Sequence, residues 1–159
     1  MGLDHHSPYT MVPNPNWSPI WFEYCTRVQP RHTDYAGVVW HGSYIEWMEA
    51  ARIDALRSVG LEYVDLVKEG CDLPVIDLSL RYQQAMWMED TVIVRSRLNK
   101  VEKIRLSWDQ HIFTANRDQP CILGQVTLVP LNSESKRILR KFPPRLQDAV
   151  SQMSSKPSA

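Results

Sequence analysis

Only three cysteines occur in the 159 residues, Cys25, Cys71 and Cys121, odd in number and widely spaced. No CxxC pair is among them, which argues against a disulfide framework or a zinc cluster. Reduced thiols that act as small core or loop hydrophobes are the expectation. Net charge is missing as well: Lys plus Arg and Asp plus Glu stand at 18 each. A nucleic-acid partner is therefore not expected, because duplex binding draws on a basic surface that neutralises phosphates. No apolar run approaches the roughly 20 residues that span a bilayer, so no membrane partner is expected. The chain starts without a basic-then-apolar signal segment, and cytoplasmic localisation is expected. His5 and His6 are adjacent near that start, but paired histidines without further ligands rarely define a metal site, and none is expected.

What is present is enough apolar residue for one folded domain. Residues 1–18 read as an irregular arm, with Pro8, Pro13 and Pro15 inside it and Pro19 just beyond. The folded domain spans 19–150, and the Ser-containing stretch 151–159 reads as a disordered tail. Phe22, Tyr24, Thr26 and Val28 alternate with polar partners as in a half-buried strand closed by Pro30. Ile76, Leu78, Leu80 and Tyr82 mark a second strand, and Val92, Val94 and Leu98 a third. Leu106, Trp108 and Ile112 mark a fourth, and Ile122, Val126 and Leu128 a fifth. The turns fall at Asn99–Lys103 and Asn116–Pro120, and short links favour an antiparallel meander.

One long helix interrupts the strands. Ser43-x-x-Glu46 reads as a capping box and Gly60 as the C-terminal cap. Tyr44, Met48, Ala51, Ala55 and Val59 share a face, flanked by Ile45, Trp47 and Leu56. A short second helix is expected to end at Gly70. The apolar helical face must be covered, and one curved antiparallel sheet of about five strands is the large surface available, giving an α+β fold.

The candidate chemistry lies just before that helix, in Thr33-Asp34-Tyr35-Ala36-Gly37-Val38-Val39-Trp40-His41-Gly42-Ser43-Tyr44. Asp34 is a natural turn residue, because its side chain bonds nearby backbone N–H groups. It also stands ahead of a helix start, whose unpaired N–H groups carry partial positive charge. A carbonyl placed there is polarised, and one such donor is worth roughly a hundred- to a thousandfold in rate. Gly37 lets the turn bring backbone close to a ligand. Tyr35, Trp40, Tyr44 and Trp47 cluster around the same stretch and suit a flat acyl group. Arg52 falls near the apolar arc, and an ion pair with Glu49 one turn earlier is expected.

Arg31-x-Thr33-Asp34-x-Ala36-Gly37-Val38-Val39-Trp40-His41-Gly42-Ser43-Tyr44, with Glu49-Ala50-Ala51-Arg52 after it, resembles the signature of the 4-hydroxybenzoyl-CoA thioesterase family of hot-dog-fold proteins. The likeness runs from about Phe22 to Val129. Trp40 stands where a Tyr is usual, and Gly42-Ser43 replaces a more common Ala-Asn pair. The resemblance implies a hot-dog domain, a sheet wrapped around one helix. It implies an acyl-CoA thioester hydrolase in which Asp34 is nucleophile or general base and the backbone N–H at His41 polarises the carbonyl. Gly37 and Val39 join Tyr35, Trp40, Tyr44 and Trp47 as expected acyl-binding residues. Coenzyme A belongs to the substrate rather than being a separate cofactor. Its phosphates need cations, for which Arg137, Arg140 and Lys141 are the candidates. A homodimer or homotetramer with a shared site is implied, and aromatic acyl groups such as hydroxybenzoyl or dihydroxynaphthoyl are the expected substrates. A non-catalytic acyl-CoA or aromatic-ligand binder and a hot-dog dehydratase are the alternatives.

Overall fold

The computed structural model describes residues 20–154, so the arm expected at 1–18 lies outside the described residues. Its strands are β1 (Phe22–Arg27), β2 (Cys71–Asp72), β3 (Val75–Tyr82), β4 (Thr91–Glu102), β5 (Arg105–Phe113), β6 (Ile122–Leu128) and β7 (Leu131–Asn132). The helices are α1 (Ser43–Ser58), α2 (Tyr63–Lys68) and α3 (Pro144–Ser154). Five strands form one antiparallel sheet in the order β1-β4-β5-β6-β3, and β2 pairs with β7 in a small second sheet.

The alternating residues of the large strands point inward and meet α1. Val92, Val94 and Leu98 of β4, Trp108 and Ile112 of β5, and Ile122 and Val126 of β6 share one core with Tyr44, Trp47, Met48, Ala51, Ala55 and Leu56. The sheet packed on a central helix is the hot-dog architecture that the resemblance implied. Gly60 follows α1 and Gly70 follows α2, both at positive φ, as the two helix ends required.

Four expectations change. The meander holds for β4-β5-β6, but β3 pairs with β6, Val75 opposite Leu128 and Tyr82 opposite Ile122. The link from β3 to β4 makes no hairpin because the loop before α1 captures it: Val39 N–H donates to Met86 O and Met88 N–H to Gly37 O. The turn expected at Asn99–Lys103 shrinks to two residues, since β4 continues through Lys100, Val101 and Glu102 opposite Ser107, Leu106 and Arg105. Val101 and Glu102 are solvent-exposed, so the stretch carries no apolar alternation to read. At the start of α1, Gly42 is the N-cap, and Ser43 instead donates its hydroxyl to His32 O at 2.8 Å. Finally, the tail expected from 151 is helical as far as Ser154. α3 buries Leu146, Ala149, Val150 and Met153, the i, i+3, i+4, i+7 spacing of one helical face, and Pro144 opens it.

Candidate active site

The segment between β1 and α1 is built as a tight loop. Thr33 bridges Val39, Asp34 N–H donates to Val38 O at 2.8 Å, and Gly37 N–H donates to Asp34 O at 3.1 Å. Asp34 to Gly37 is thus a β-turn closed by a glycine at φ +81°, a backbone angle that other residues adopt at a cost. The turn fixes the carboxylate. Asp34 Oδ1 accepts from Ala36 N–H at 2.8 Å and Val38 N–H at 3.3 Å. This is the local bonding expected of a turn aspartate, and it uses one of the two carboxylate oxygens. No hydrogen bond joins Asp34 to His41.

His32 ties the loop to the helix. Its Nδ1 accepts from Gln29 N–H at 2.9 Å, so the proton of the neutral ring sits on Nε2. Its carbonyl receives Trp40 N–H as well as the Ser43 hydroxyl. Burial holds the imidazole below the usual histidine range, with Arg31 adding to the effect and Glu46 opposing it.

Where the loop meets α1, a cleft of about 250 Å³ opens between Val38, Val39, His41 and Tyr44 on one side and Tyr82 and Ala85 on the other. The Tyr82 phenol donates to His41 O at 2.8 Å, and its ring stands edge-on to Tyr44, centroids 5.7 Å apart. Burial pushes the Tyr44 phenol up to about 12, against the pull of a backbone hydrogen bond at Met86. Among the described residues, the backbone N–H groups of His41 and Gly42 meet no acceptor. His41 lines the cleft, and its open N–H and that of Gly42 stand at the positive end of a 16-residue helix.

The expected site residues divide. Val39, His41 and Tyr44 line the cleft. Asp34 and Gly37 belong to the same loop but not to the cleft wall of a single chain. Trp47 lies deeper, packed edge-on against His32 and Tyr44. Trp40 turns to the surface beside the His41 ring, and its indole lies over Gly42, where a side chain would displace it. Tyr35 is fully exposed. Arg137, Arg140 and Lys141 are exposed beyond β7, near the Leu128 end of β6. The cleft is at the opposite, Ile122 end, about 20 Å away along the strand, so one chain does not bring them together. Tyr82, Gln83, Gln84 and Ala85 are cleft residues that sequence reasoning missed. Tyr82 showed only as the last apolar residue of a strand, and nothing local places it beside His41. Among the described residues, no three His, Cys, Asp or Glu side chains are grouped to hold a metal ion.

Residues 28–150 match the family model of the thioesterase-like superfamily. The chain belongs to that superfamily. Thioester hydrolysis is accordingly its enzyme class, and acyl-CoA thioesterases are among its relatives. The candidate esterase sll0410 of Synechocystis sp. is 45% identical over 128 residues, covering 80% of this chain and 77% of that protein. The candidate acyl-CoA thioesterase YneP of Bacillus subtilis is 28% identical over 86 residues, covering 54% and 62%. Among solved structures, the DHNA-CoA thioesterase from Staphylococcus aureus matches with a TM-score of 0.77 at 25% identity, covering 83% of this chain and 89% of that one. In this thioesterase-superfamily chain, the cleft at the start of α1 adjoins the loop that carries Asp34.

Proposed function

We propose that the enzyme hydrolyses an aromatic acyl-CoA at the His41 cleft, with Asp34 as the general base for water. The observation that carries this reading is the pair of open N–H groups at His41 and Gly42, set beside the ring-lined wall of Tyr44 and Tyr82. The thioester oxygen is directed at those donors, which hold the charge that develops on it. Asp34 Oδ1 is engaged by the turn, leaving Oδ2 to take a proton from water. Asp34 stands outside the cleft wall of a single chain, which favours activation of water over direct attack. The hydroxide adds to the carbonyl carbon, the C–S bond breaks, and the thiolate leaves to be protonated as coenzyme A. The Tyr82 hydrogen bond fixes the His41–Gly42 peptide plane and so the direction of the Gly42 N–H.

The edge strand β3 supports a homodimer. Leu78, opposite buried Val126, points to the core side of the sheet yet is 38% exposed, and Ile76 in the irregularity beside it is 47% exposed, on an edge that no strand covers. Antiparallel pairing of two β3 strands about a two-fold axis sets the Val75 end of one beside the Tyr82 end of the other. The partner's basic segment at 137–141 then approaches the cleft, where coenzyme A phosphates need cations.

Turnover of purified protein on a panel of aromatic and aliphatic acyl-CoAs tests the reading. Hydrolysis of aromatic thioesters is expected, with a fall of roughly a hundredfold or more in kcat for Asp34→Asn. Full activity in that variant, or stabilisation by coenzyme A without turnover of any thioester, would overturn it. A covalent acyl adduct on Asp34 in quenched reactions would replace the base role with a nucleophilic one.

A further inference from the structure

The wall of the His41 cleft that faces the helix start has no secondary structure of its own. β3 ends at Tyr82, and the next backbone held by the Asp34 loop is Met86, whose carbonyl receives Val39 N–H. Gln83, Gln84 and Ala85 lie between them in no strand or helix, and all three are exposed. They nevertheless line the cleft. What holds them comes from the connection between β5 and β6, which reads in sequence as a polar turn at Asn116–Pro120. Cys121 O accepts from Gln83 N–H at 2.9 Å and from Gln84 N–H at 3.2 Å. Arg117 Nη1 donates to Gln84 Oε1 at 2.9 Å and to Ala85 O at 3.1 Å, and it lies 3.9 Å from Cys121 Sγ. Among the described residues, Ala85 has no other hydrogen bond.

The Arg117 guanidinium is half-buried, and among the described residues no carboxylate pairs with it within 4.0 Å. Both protons of its Nη1 go to the wall, through hydrogen bonds that the positive charge strengthens. Dispersion contact fades quickly with separation, and a gap of roughly 0.5–1 Å forfeits a quarter to a half of it. A rigid ring seated against Tyr44 and Tyr82 cannot follow a wall that draws back, whereas a flexible chain can rearrange to fill the space. We propose that Arg117 is a positioning residue of the His41 cleft, one that fixes Gln84 and Ala85 and thereby sets a preference for flat acyl groups over flexible ones. Arg117 does not line the cleft itself, so it acts through the wall. The inference rests on the His41 cleft being the acyl site, but not on the chemistry performed there.

The test is titration calorimetry on the whole protein with two coenzyme A thioethers that cannot be hydrolysed, S-benzyl-CoA and S-decyl-CoA. The readout is the ratio of their affinities. Arg117→Ala is expected to weaken S-benzyl-CoA roughly tenfold and to change S-decyl-CoA by less than about twofold, the scale of one lost charge-assisted contact. Arg117→Lys should recover part of the ratio, because an ammonium can still reach Ala85 O. Gln84→Ala should lower the ratio too, and should add little in the Arg117→Ala background, since both remove the same tie. An unchanged ratio in Arg117→Ala would overturn the proposal, and so would equal weakening of the two thioethers, which is what a general loosening of the fold produces. Ala85→Trp, which fills the cleft, should abolish S-benzyl-CoA binding. Full binding in that variant would overturn both the proposal and the placement of the acyl group. An Arg117-dependent ratio in a protein that turns over no thioester would instead sink the hydrolytic reading alone. If Arg117→Ala fails to fold, Arg117→Lys and Gln84→Ala decide the matter, and an unchanged ratio in both would overturn the proposal.

Discussion

Asp34 satisfies the turn with one oxygen and keeps the other in reserve, so its structural role and the proposed catalytic one are compatible. That much was legible in the spacing Asp34-x-x-Gly37. Tyr82 was not, because its role comes from a hydrogen bond across 41 residues of chain. Tyr82→Phe deletes a contact worth about 1 kcal/mol, so kcat should fall roughly fivefold with KM little changed. Steady-state kinetics separate the two constants, and a rise in KM alone would assign Tyr82 to substrate binding instead. Two histidines, His32 buried and His111 half-buried, give a pH prediction. His32 and His111 both titrate below the usual value of 6.5, chiefly because burial penalises the imidazolium. In the unfolded chain they recover the ordinary value, so as pH falls past 6.5 the unfolded state takes up protons first. Their contribution to stability is complete at neutral pH and is lost on acidification towards the depressed folded values. Urea midpoints at pH 7.5 and 5.5 should show this slope, and His32→Asn should flatten it.

At the scale of elements, α1 and the five long strands could be read from period alone, since each presents an apolar face that something must cover. The burial of Arg52 and the exposure of Ile45 rotate the expected helical face slightly, towards Trp47 and Leu56. α3 went unread although its signal was present in Leu146, Ala149, Val150 and Met153. Polar and basic residues around those four suggested an edge and a tail. Leu146 is completely buried, so Leu146→Ala should cost roughly 2–5 kcal/mol, read as a lowered denaturant midpoint. A loss below 1 kcal/mol would mean that α3 does not belong to the core. The capping box at Ser43 failed for a tertiary reason. The His32 carbonyl, delivered by the turn at Pro30–His32, takes the hydroxyl that the helix end would otherwise use.

For the whole molecule, the uncovered β3 edge is the feature with the widest consequence. The proposed dimer would cover Ile76 and Leu78 and bring the basic segment of one chain to the cleft of the other. Leu78→Lys should therefore halve the mass seen in sedimentation and lower turnover together, whereas the far-ultraviolet circular dichroism should stay unchanged. A lighter species with full activity would separate assembly from catalysis.

The sequence by itself determined the strands, the long helix, the turn at Asp34 and the family signature, because each depends on residues a few positions apart. Apolar period and turn chemistry are local quantities. Tertiary structure alone decided that β3 joins β6, that Tyr82 reaches the His41 carbonyl, and that Arg52 bonds Gln110 rather than Glu49. Each of those outcomes joins groups about 40 or more residues apart, and whichever partner wins is set by how the sheet closes over the helix.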